Sequence, residues 1–265
     1  MSYIDYIKDN GITDDEWALL LKQSSEKFLE DILNSQIKNT RFFGNELLLK
    51  LLYFYIFNWE TGYIIKDCIK EGDILYRSRI YTETDGEDRW KDNTDNMFKG
   101  YNEKNSGAPE TPGENRCSPK FIKCLYASNN VETSVYEVSP IQGDFVSVAD
   151  IKILQTLNIV NFDITTTAAY DPNDRRAKWI NGFILSISNF FSAPIREDRK
   201  EEYLLCQYIS EYIRLLGFDG IKYKSAKYNG CGENYSIFSF DKCKPISSKL
   251  YKVTNVEYDF YSYVE

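Results

Sequence analysis

Histidine is absent from this chain of 265 residues. Its absence excludes the Ser-His-Asp and Cys-His catalytic arrangements, and with them proton transfer by an imidazole. It also excludes the ribonuclease motif that pairs arginine with histidine in some small helical domains. Any chemistry that the protein performs therefore depends on carboxylates, arginines, tyrosines and hydroxyl groups.

Cysteine is present, but in no metal-binding pattern. The six cysteines are scattered without a CxxC pair, at Cys68, Cys117, Cys124, Cys206, Cys231 and Cys243. Without such a pair, and without histidine, no conventional zinc site is expected. Scattered cysteines in a chain with no recognisable signal peptide are typical of reduced thiols, so we expect a cytoplasmic protein.

Long apolar runs and positive net charge are also missing. The most apolar stretch, ELLLKLLYFYIF at 46–57, contains Lys50 and is too short to span a bilayer, so it predicts a buried helix. The formal net charge is −8, which argues against binding the phosphate backbone of a nucleic acid as the main task. A small positive pocket is compatible with that charge.

The composition indicates a folded protein, because 43% of the residues are hydrophobic and 21 tyrosines and 16 phenylalanines are present. Residues 1–72 predict a small all-α domain. Thr13 and Glu16 form a candidate capping box, and further helices are expected at about 44–58 and about 60–70.

From Asp73 onward the pattern becomes that of a mixed α+β protein. ILYRSRIY at 74–81 alternates as a strand and places Arg77 and Arg79 on one face. A long polar loop follows at 82–115, with its first half solvated and its second half leading to a site. The remaining segments predict strands at 121–128, within 144–164, and in DGIKYKS and NYSIFSF, and helices at 175–191 and 200–216. The tail from 245 predicts one more strand and an extension, and 246–265 is assigned as a C-terminal extension.

Three candidate site residues follow one another at near-even spacing: Arg116, Tyr126 and Glu137. They lie within ordered segments, which read LYRSRIY (75–81), SGAPETPGENRCSP (106–119), LYASNNVETSVYEV (125–138) and FDGIKYKSAKYNGCGENYSIF (218–238). This order and spacing resemble the RES domain family over about 73–245. Characterised members of that family are toxins that destroy NAD, on a mixed or antiparallel β core related to ADP-ribosyltransferases.

The resemblance implies a role for each of the three residues. Arg116 would contact the dinucleotide, and Tyr126 would offer its ring to nicotinamide or ribose. Glu137 would hold the ribose hydroxyls and stabilise an oxocarbenium-like transition state. The segment 115–119 keeps the family's arginine and proline but lacks the preceding glycine and the asparagine before proline.

Four further residues complete the site that the resemblance implies. Arg77, or its neighbour Arg79, would bind the pyrophosphate, with Arg77 favoured. Ser225 matches the family's serine, and Asn234 matches an asparagine that braces the site. The helices before residue 73 are similar, in position and helicity, to the HEPN-like domain found in front of some RES domains.

The expected function is cleavage of the nicotinamide–ribose bond of NAD⁺ by water or phosphate, in a toxin–antitoxin or anti-phage context. NAD⁺ would be a substrate, with no prosthetic group and no metal, and a neutralising antitoxin or inhibitor protein is implied. Self-association stays open. The alternatives are ADP-ribosyl transfer to a protein or nucleic acid, an inactive nucleotide- or protein-binding module, and a ribonuclease role for the helical segment, which the missing histidine disfavours.

Overall fold

The computed structural model describes residues 11–39, 45–57, 66–82, 97–163, 173–194, 201–228 and 232–257. Within these ranges the strands are β1 (Lys66–Ile69), β2 (Ile74–Ile80), β3 (Leu125–Ser128), β4 (Phe145–Ile153), β5 (Leu157–Asn161), β6 (Gly220–Lys224), β7 (Glu233–Ile237) and β8 (Cys243–Lys252). The α-helices are α1 (Asp14–Leu20), α2 (Ser25–Ile32), α3 (Glu46–Phe57), α4 (Glu103–Ser106), α5 (Val131–Glu137), α6 (Arg175–Ser192) and α7 (Leu204–Leu215).

The strands form one sheet in the order β1-β5-β6-β7-β3-β2-β4-β8. Neighbouring strands of this sheet are antiparallel, except that β5 and β6 run parallel. The α+β class with a mixed, mainly antiparallel core is therefore confirmed.

Helix α1 begins at the capping box that the sequence predicted. Thr13 Oγ1 accepts a hydrogen bond from the backbone of Glu16, whose carboxylate accepts one from the backbone of Thr13, which completes the capping box. Helix α3 matches the apolar run, and its Lys50 is only 6% exposed. The ammonium group of Lys50 lies 3.0 Å from a carboxylate oxygen of Glu16 and 3.0 Å from one of Glu46.

These helices share a hydrophobic cluster with α6 and α7. The rings of Trp17 and Trp179 meet edge to face with centroids 6.3 Å apart. The indole N–H of Trp179 donates to the carbonyl oxygen of Gln23 at 3.0 Å. One face of the sheet therefore packs against the N-terminal helices together with α6 and α7. The domain boundary at residue 72 stays a prediction.

Two secondary-structure predictions were wrong. The predicted helix at about 60–70 is a strand over Lys66–Ile69, because these residues pair with Leu157–Val160 at the sheet edge, while residues 58–65 lie outside the described ranges. The strand predicted at 121–128 begins only at Leu125. Phe121 has φ +73, which is incompatible with an extended strand. The solvated half-loop falls almost wholly on residues 83–96, outside the described ranges.

The gap between β2 and β3 sets the position of the site. These neighbouring strands pair only at Tyr76 and Ser128, whereas β2 pairs with β4 along its whole length. Beyond that single pair β2 and β3 separate.

None of the helices within the described ranges has the length and apolar composition that a membrane-spanning helix requires.

Candidate active site

A cavity of about 460 Å³ opens where β2 and β3 separate. Its volume falls in the range of small-molecule sites. The polar side chains that line it come from both strands, the 114–116 loop, α5, the turn before α7, β6 and the turn after it, and β7. They are Tyr76, Arg77, Ser78, Glu114, Asn115, Arg116, Tyr126, Ser128, Ser134, Glu137, Tyr203, Tyr223, Lys227 and Asn234.

Helix α5 carries Glu137 as its last residue. Asn130 caps the start of the helix, and its side-chain oxygen accepts a hydrogen bond from the backbone of Thr133 at 2.7 Å. The hydroxyls of Ser134 and Ser78 lie 2.7 Å apart and tie the helix to β2. Glu137 is therefore presented to the cavity from a helix fixed at its start and in its middle.

The carboxylate of Glu137 is held by two side chains from the following part of the sheet. Its Oε1 atom accepts from Ser225 Oγ at 2.6 Å and from Asn234 Nδ2 at 2.7 Å. The other amide atom, Asn234 Oδ1, accepts from Ser128 Oγ at 2.8 Å, which fixes the orientation of the amide. Although its sequence neighbours Val135, Tyr136 and Val138 are largely apolar, one oxygen of Glu137 thus has two hydrogen-bond donors.

Ser225 follows β6 and is only 5% exposed. While its hydroxyl donates to Glu137, the same oxygen accepts from the backbone N–H groups of Lys227 and Tyr228 at 3.2 Å each. These bonds fix the rotamer of the hydroxyl and turn the chain back towards α5.

Tyr126 lies on β3 with its ring against the cavity. Its hydroxyl oxygen accepts from the backbone N–H of Cys117 at 3.1 Å and lies 3.0 Å from Ser118 Oγ. Burial raises the pKa of Tyr126 well above its usual value, so the phenol stays neutral. The hydroxyl therefore anchors the loop of Arg116, and the ring remains available for stacking.

Arg116 joins that loop to the end of α6. Its Nη1 donates to the carbonyl oxygen of Phe190 at 2.7 Å, and its Nη2 to that of Ala193 at 2.6 Å. The guanidinium also lies 5.3 Å from the ring centroid of Tyr203. An arginine has five N–H donors, so Arg116 can satisfy the helix end and still present donors to a ligand.

The two candidate arginines of β2 have different surroundings. Arg77 lines the cavity, and its Nη1 donates to the carbonyl oxygen of Tyr126 at 3.2 Å, while its buried Nε has no partner. Arg79 instead donates to the carbonyl oxygen of Asn105 at 2.6 Å and lies over the ring of Tyr101. The structure thus brings Arg77 to the site with the other candidates and directs Arg79 towards α4.

Several lining residues were missed by sequence reasoning. Tyr76, Tyr203 and Tyr223 contribute three more aromatic rings, and Lys227 contributes a further cation. Tyr223 stands two residues before Ser225, so strand alternation could have placed both on one face. Tyr203 comes from the turn before α7, and its position depends on tertiary packing that the sequence pattern does not record.

The charges of the lining are predominantly positive. Three cations, Arg77, Arg116 and Lys227, face two carboxylates, Glu114 and Glu137. This local excess of positive charge contrasts with the net charge of −8 of the whole chain. Among the described residues, no group of three or more Cys, Asp or Glu side chains is arranged to hold a metal ion.

Comparison with known proteins places the chain in a family. The family model described as RES domain matches residues 89–260. A solved structure, "Crystal structure of the M.tuberculosis MbcT-MbcA toxin-antitoxin complex", contains a similar chain with 12% identity and a TM-score of 0.36, covering 70% of this chain and 87% of that one. No curated protein matches the sequence. The family match spans more than half of the chain, and the protein therefore belongs to the RES domain family.

Proposed function

We propose that the protein cleaves the nicotinamide–ribose bond of NAD⁺. The observation that carries this proposal is the carboxylate of Glu137, held by Ser225 and Asn234 at a cavity with an excess of positive charge. A fixed negative charge stabilises a sugar that becomes cationic as its base departs. Fixed cations at the same cavity suit a ligand with two phosphates.

The bond that breaks joins the anomeric carbon to the pyridine nitrogen. The bonding electrons move to the nitrogen, so nicotinamide leaves as a neutral molecule and requires no proton donor. A chain without histidine is suited to such a reaction. Water, or phosphate in its place, then bonds to the anomeric carbon, and the water releases its proton to solvent.

Four of the lining residues have a place in this reaction. Arg77 and Arg116 would bind the pyrophosphate, since guanidinium groups match phosphate oxygens bidentately. The ring of Tyr126 would pack on the reacting end of the substrate. Glu137 would lie against the ribose, with its unshared Oε2 free of the two bonds that orient Oε1.

An enzyme that destroys NAD⁺ without restraint would harm the cell that makes it. We therefore infer a toxin whose activity is blocked by an antitoxin or inhibitor protein. Family membership supports this inference, since characterised members are toxins.

The decisive experiment identifies the products formed from NAD⁺ by purified protein, with and without inorganic phosphate. Free nicotinamide with ADP-ribose indicates hydrolysis, and nicotinamide with ADP-ribose 1″-phosphate indicates phosphorolysis. Radiolabel that becomes covalently attached to protein or nucleic acid would instead show ADP-ribosyl transfer. NAD⁺ that stays intact with folded, inhibitor-free protein would refute the proposal.

A further inference from the structure

Lys227 makes two contacts at the end of the helix that carries Glu137. Its ammonium group donates to the backbone carbonyl oxygen of Glu137 at 2.8 Å and to Ser139 Oγ at 2.7 Å. The side chain also lines the cavity. Neither contact involves the carboxylate of Glu137, so Lys227 acts on the backbone from which that carboxylate projects.

This helix end has an unusual conformation. The last four carbonyl groups of a helix have no partner within it, and the carbonyl of Glu137 is one of them. Two residues later, Ser139 adopts φ +48, a left-handed conformation that is usual for glycine at this position and unfavourable for other residues. A positive charge at a helix C-terminus supplies the missing donor and complements the helix dipole.

The turn at 225–228 therefore contacts α5 at three points. Ser225 holds the carboxylate of Glu137, and Lys227 holds its carbonyl. The ring of Tyr228 packs on that of Tyr136 with centroids 5.2 Å apart. Fixing the carboxylate and the backbone of one residue from one turn determines where the negative charge lies relative to a bound sugar.

We propose that Lys227 is a positioning residue: it holds the strained C-terminal end of α5 so that the Glu137 carboxylate meets the anomeric carbon. This inference rests on the proposed function for its catalytic consequence. Misplacement of a catalytic group by about 1 Å can lower a rate by about 10²-fold. A role in direct phosphate binding is less compatible with the geometry, because two of the three ammonium donors are directed to the Glu137 carbonyl oxygen and to Ser139 Oγ.

The first test compares Lys227→Met with a matched control. Lys224→Met removes the same charge three residues away, from an exposed side chain at the end of β6. We expect Lys227→Met to lower kcat for NAD⁺ cleavage by about 10- to 100-fold, with KM changed less than about threefold, and Lys224→Met to change neither. Lys227→Arg should retain part of the activity. A raised KM with unchanged kcat, or no effect at all, would overturn the proposal.

The second test is a rescue. Because Ser139→Gly removes the strain that Lys227 offsets, the double variant Lys227→Met/Ser139→Gly should recover most of the lost kcat. Ser139→Gly alone should leave activity near that of the parent protein. A double variant as slow as Lys227→Met would contradict the positioning role.

The third test is independent of turnover. Amide hydrogen exchange at Val138 and Ser139 should accelerate in Lys227→Met, return towards the parent rate in the double variant, and stay unchanged in Lys224→Met. If the parent protein never cleaves NAD⁺ but exchange is still faster in Lys227→Met, the proposed reaction is refuted and the structural role of Lys227 stands. Unchanged exchange in Lys227→Met would refute that role, whether or not the parent protein is active.

Discussion

The side-chain amide of Asn234 donates a hydrogen bond to Glu137 Oε1 at 2.7 Å, across 97 residues of sequence. Helix α5 and strand β7 meet here because β7 pairs with β3, the strand that immediately precedes the helix. The amide cannot rotate without losing its second bond, from Ser128. The sheet therefore sets the direction from which Glu137 accepts this hydrogen bond.

Replacement of Asn234 by Asp converts this donor into a second carboxylate at the same distance. Ionising both carboxylates at this distance is unfavourable, so the pair should lose its second proton only at a raised pH. We expect Asn234→Asp to lose at least about tenfold in kcat near pH 8 and to regain part of it near pH 5, where a shared proton restores the hydrogen bond. The measurement is the pH profile of NAD⁺ cleavage, set against that of the parent protein.

The stability of Asn234→Asp should depend on pH through the same proton. Because the folded state of Asn234→Asp binds more protons than the unfolded state above the usual carboxyl pKa, its free energy of unfolding should fall as the pH rises through the raised pKa. Urea unfolding at pH 5 and pH 8 would measure this. Equal stability loss at both values would argue against a coupled carboxylate pair.

Glu137→Gln tests the carboxylate itself. Glutamine keeps the size of the side chain and an oxygen that can accept from Ser225 and Asn234, but it removes the negative charge. We expect kcat for NAD⁺ cleavage to fall by about 10³-fold, with a melting temperature within about 2 °C of the parent. Glu132→Gln, an exposed position in the first turn of the same helix, is the matched control and should retain full activity.

Much of this arrangement could be predicted because it is local or periodic. The cap at Asn130, the strand of Arg77 and the C-terminal glycine of α7 at Gly217, with φ +86, all follow from residue types at fixed offsets. The family resemblance identified Ser225 and Asn234 as site residues, but it did not predict their hydrogen bonds to Glu137. Their geometry depends on strand order, which no local pattern contains.

The failures have the same physical origin. Lys66–Ile69 could form a helix or a strand in isolation, and pairing with β5 decides for the strand. Arg77 and Arg79 are equivalent in a strand pattern, yet the separation of β3 exposes only Arg77 to the cavity, while the 101–105 segment covers Arg79. Such tertiary effects override periodicity.

The contrast between these arginines gives a paired prediction. Burial, with a smaller contribution from neighbouring Arg79, lowers the pKa of Arg77 to about 10, which means that the fold disfavours its charged form. Below that pH Arg77 is charged, and the free-energy cost of burying its charge does not change with pH. A neutral side chain at this position removes that cost. Arg77→Met should therefore raise stability by about 1 kcal/mol, or leave it unchanged, while weakening NAD⁺ binding at least about tenfold.

Arg79→Met should do the reverse, since it removes the bond to Asn105 and the contact with Tyr101 outside the cavity. We expect a stability loss of about 1 kcal/mol and little change in NAD⁺ affinity. Thermal unfolding and calorimetric titration of both variants would measure the pair. Equal losses of affinity would mean that both arginines reach the pyrophosphate.

Phe121 combines backbone strain with exposure. Its φ is +73 and its side chain is 69% exposed, so little packing compensates for the strain. We expect Phe121→Gly to be more stable than Phe121→Ala by about 1 kcal/mol, because alanine retains the unfavourable conformation and glycine does not. Chemical denaturation of the two variants isolates this difference. Equal stabilities would show that the local conformation relaxes without cost.

Gly220 is the glycine at which we expect a substitution to disturb the pairing of β6 with β7 most. A Cβ atom there would lie 2.7 Å from the carbonyl oxygen of Ser236 and 3.2 Å from the Cα of Ile237, both backbone atoms of β7. Backbone cannot move aside as a flexible side chain can, so Gly220→Ala should separate β6 from β7 and cost about 2–3 kcal/mol. The control is Gly113→Ala, where a Cβ would meet nothing within 4 Å.

Because β6 leads to Ser225 and β7 carries Asn234, the same substitution should also lower NAD⁺ cleavage at temperatures at which the protein remains folded. Urea unfolding together with kcat measured well below the melting temperature separates the two effects. A Gly220→Ala variant as stable and as active as Gly113→Ala would show that the β6–β7 pairing tolerates a side chain at this position. In that case the close approach of these strands would not be what aligns the two donors on Glu137.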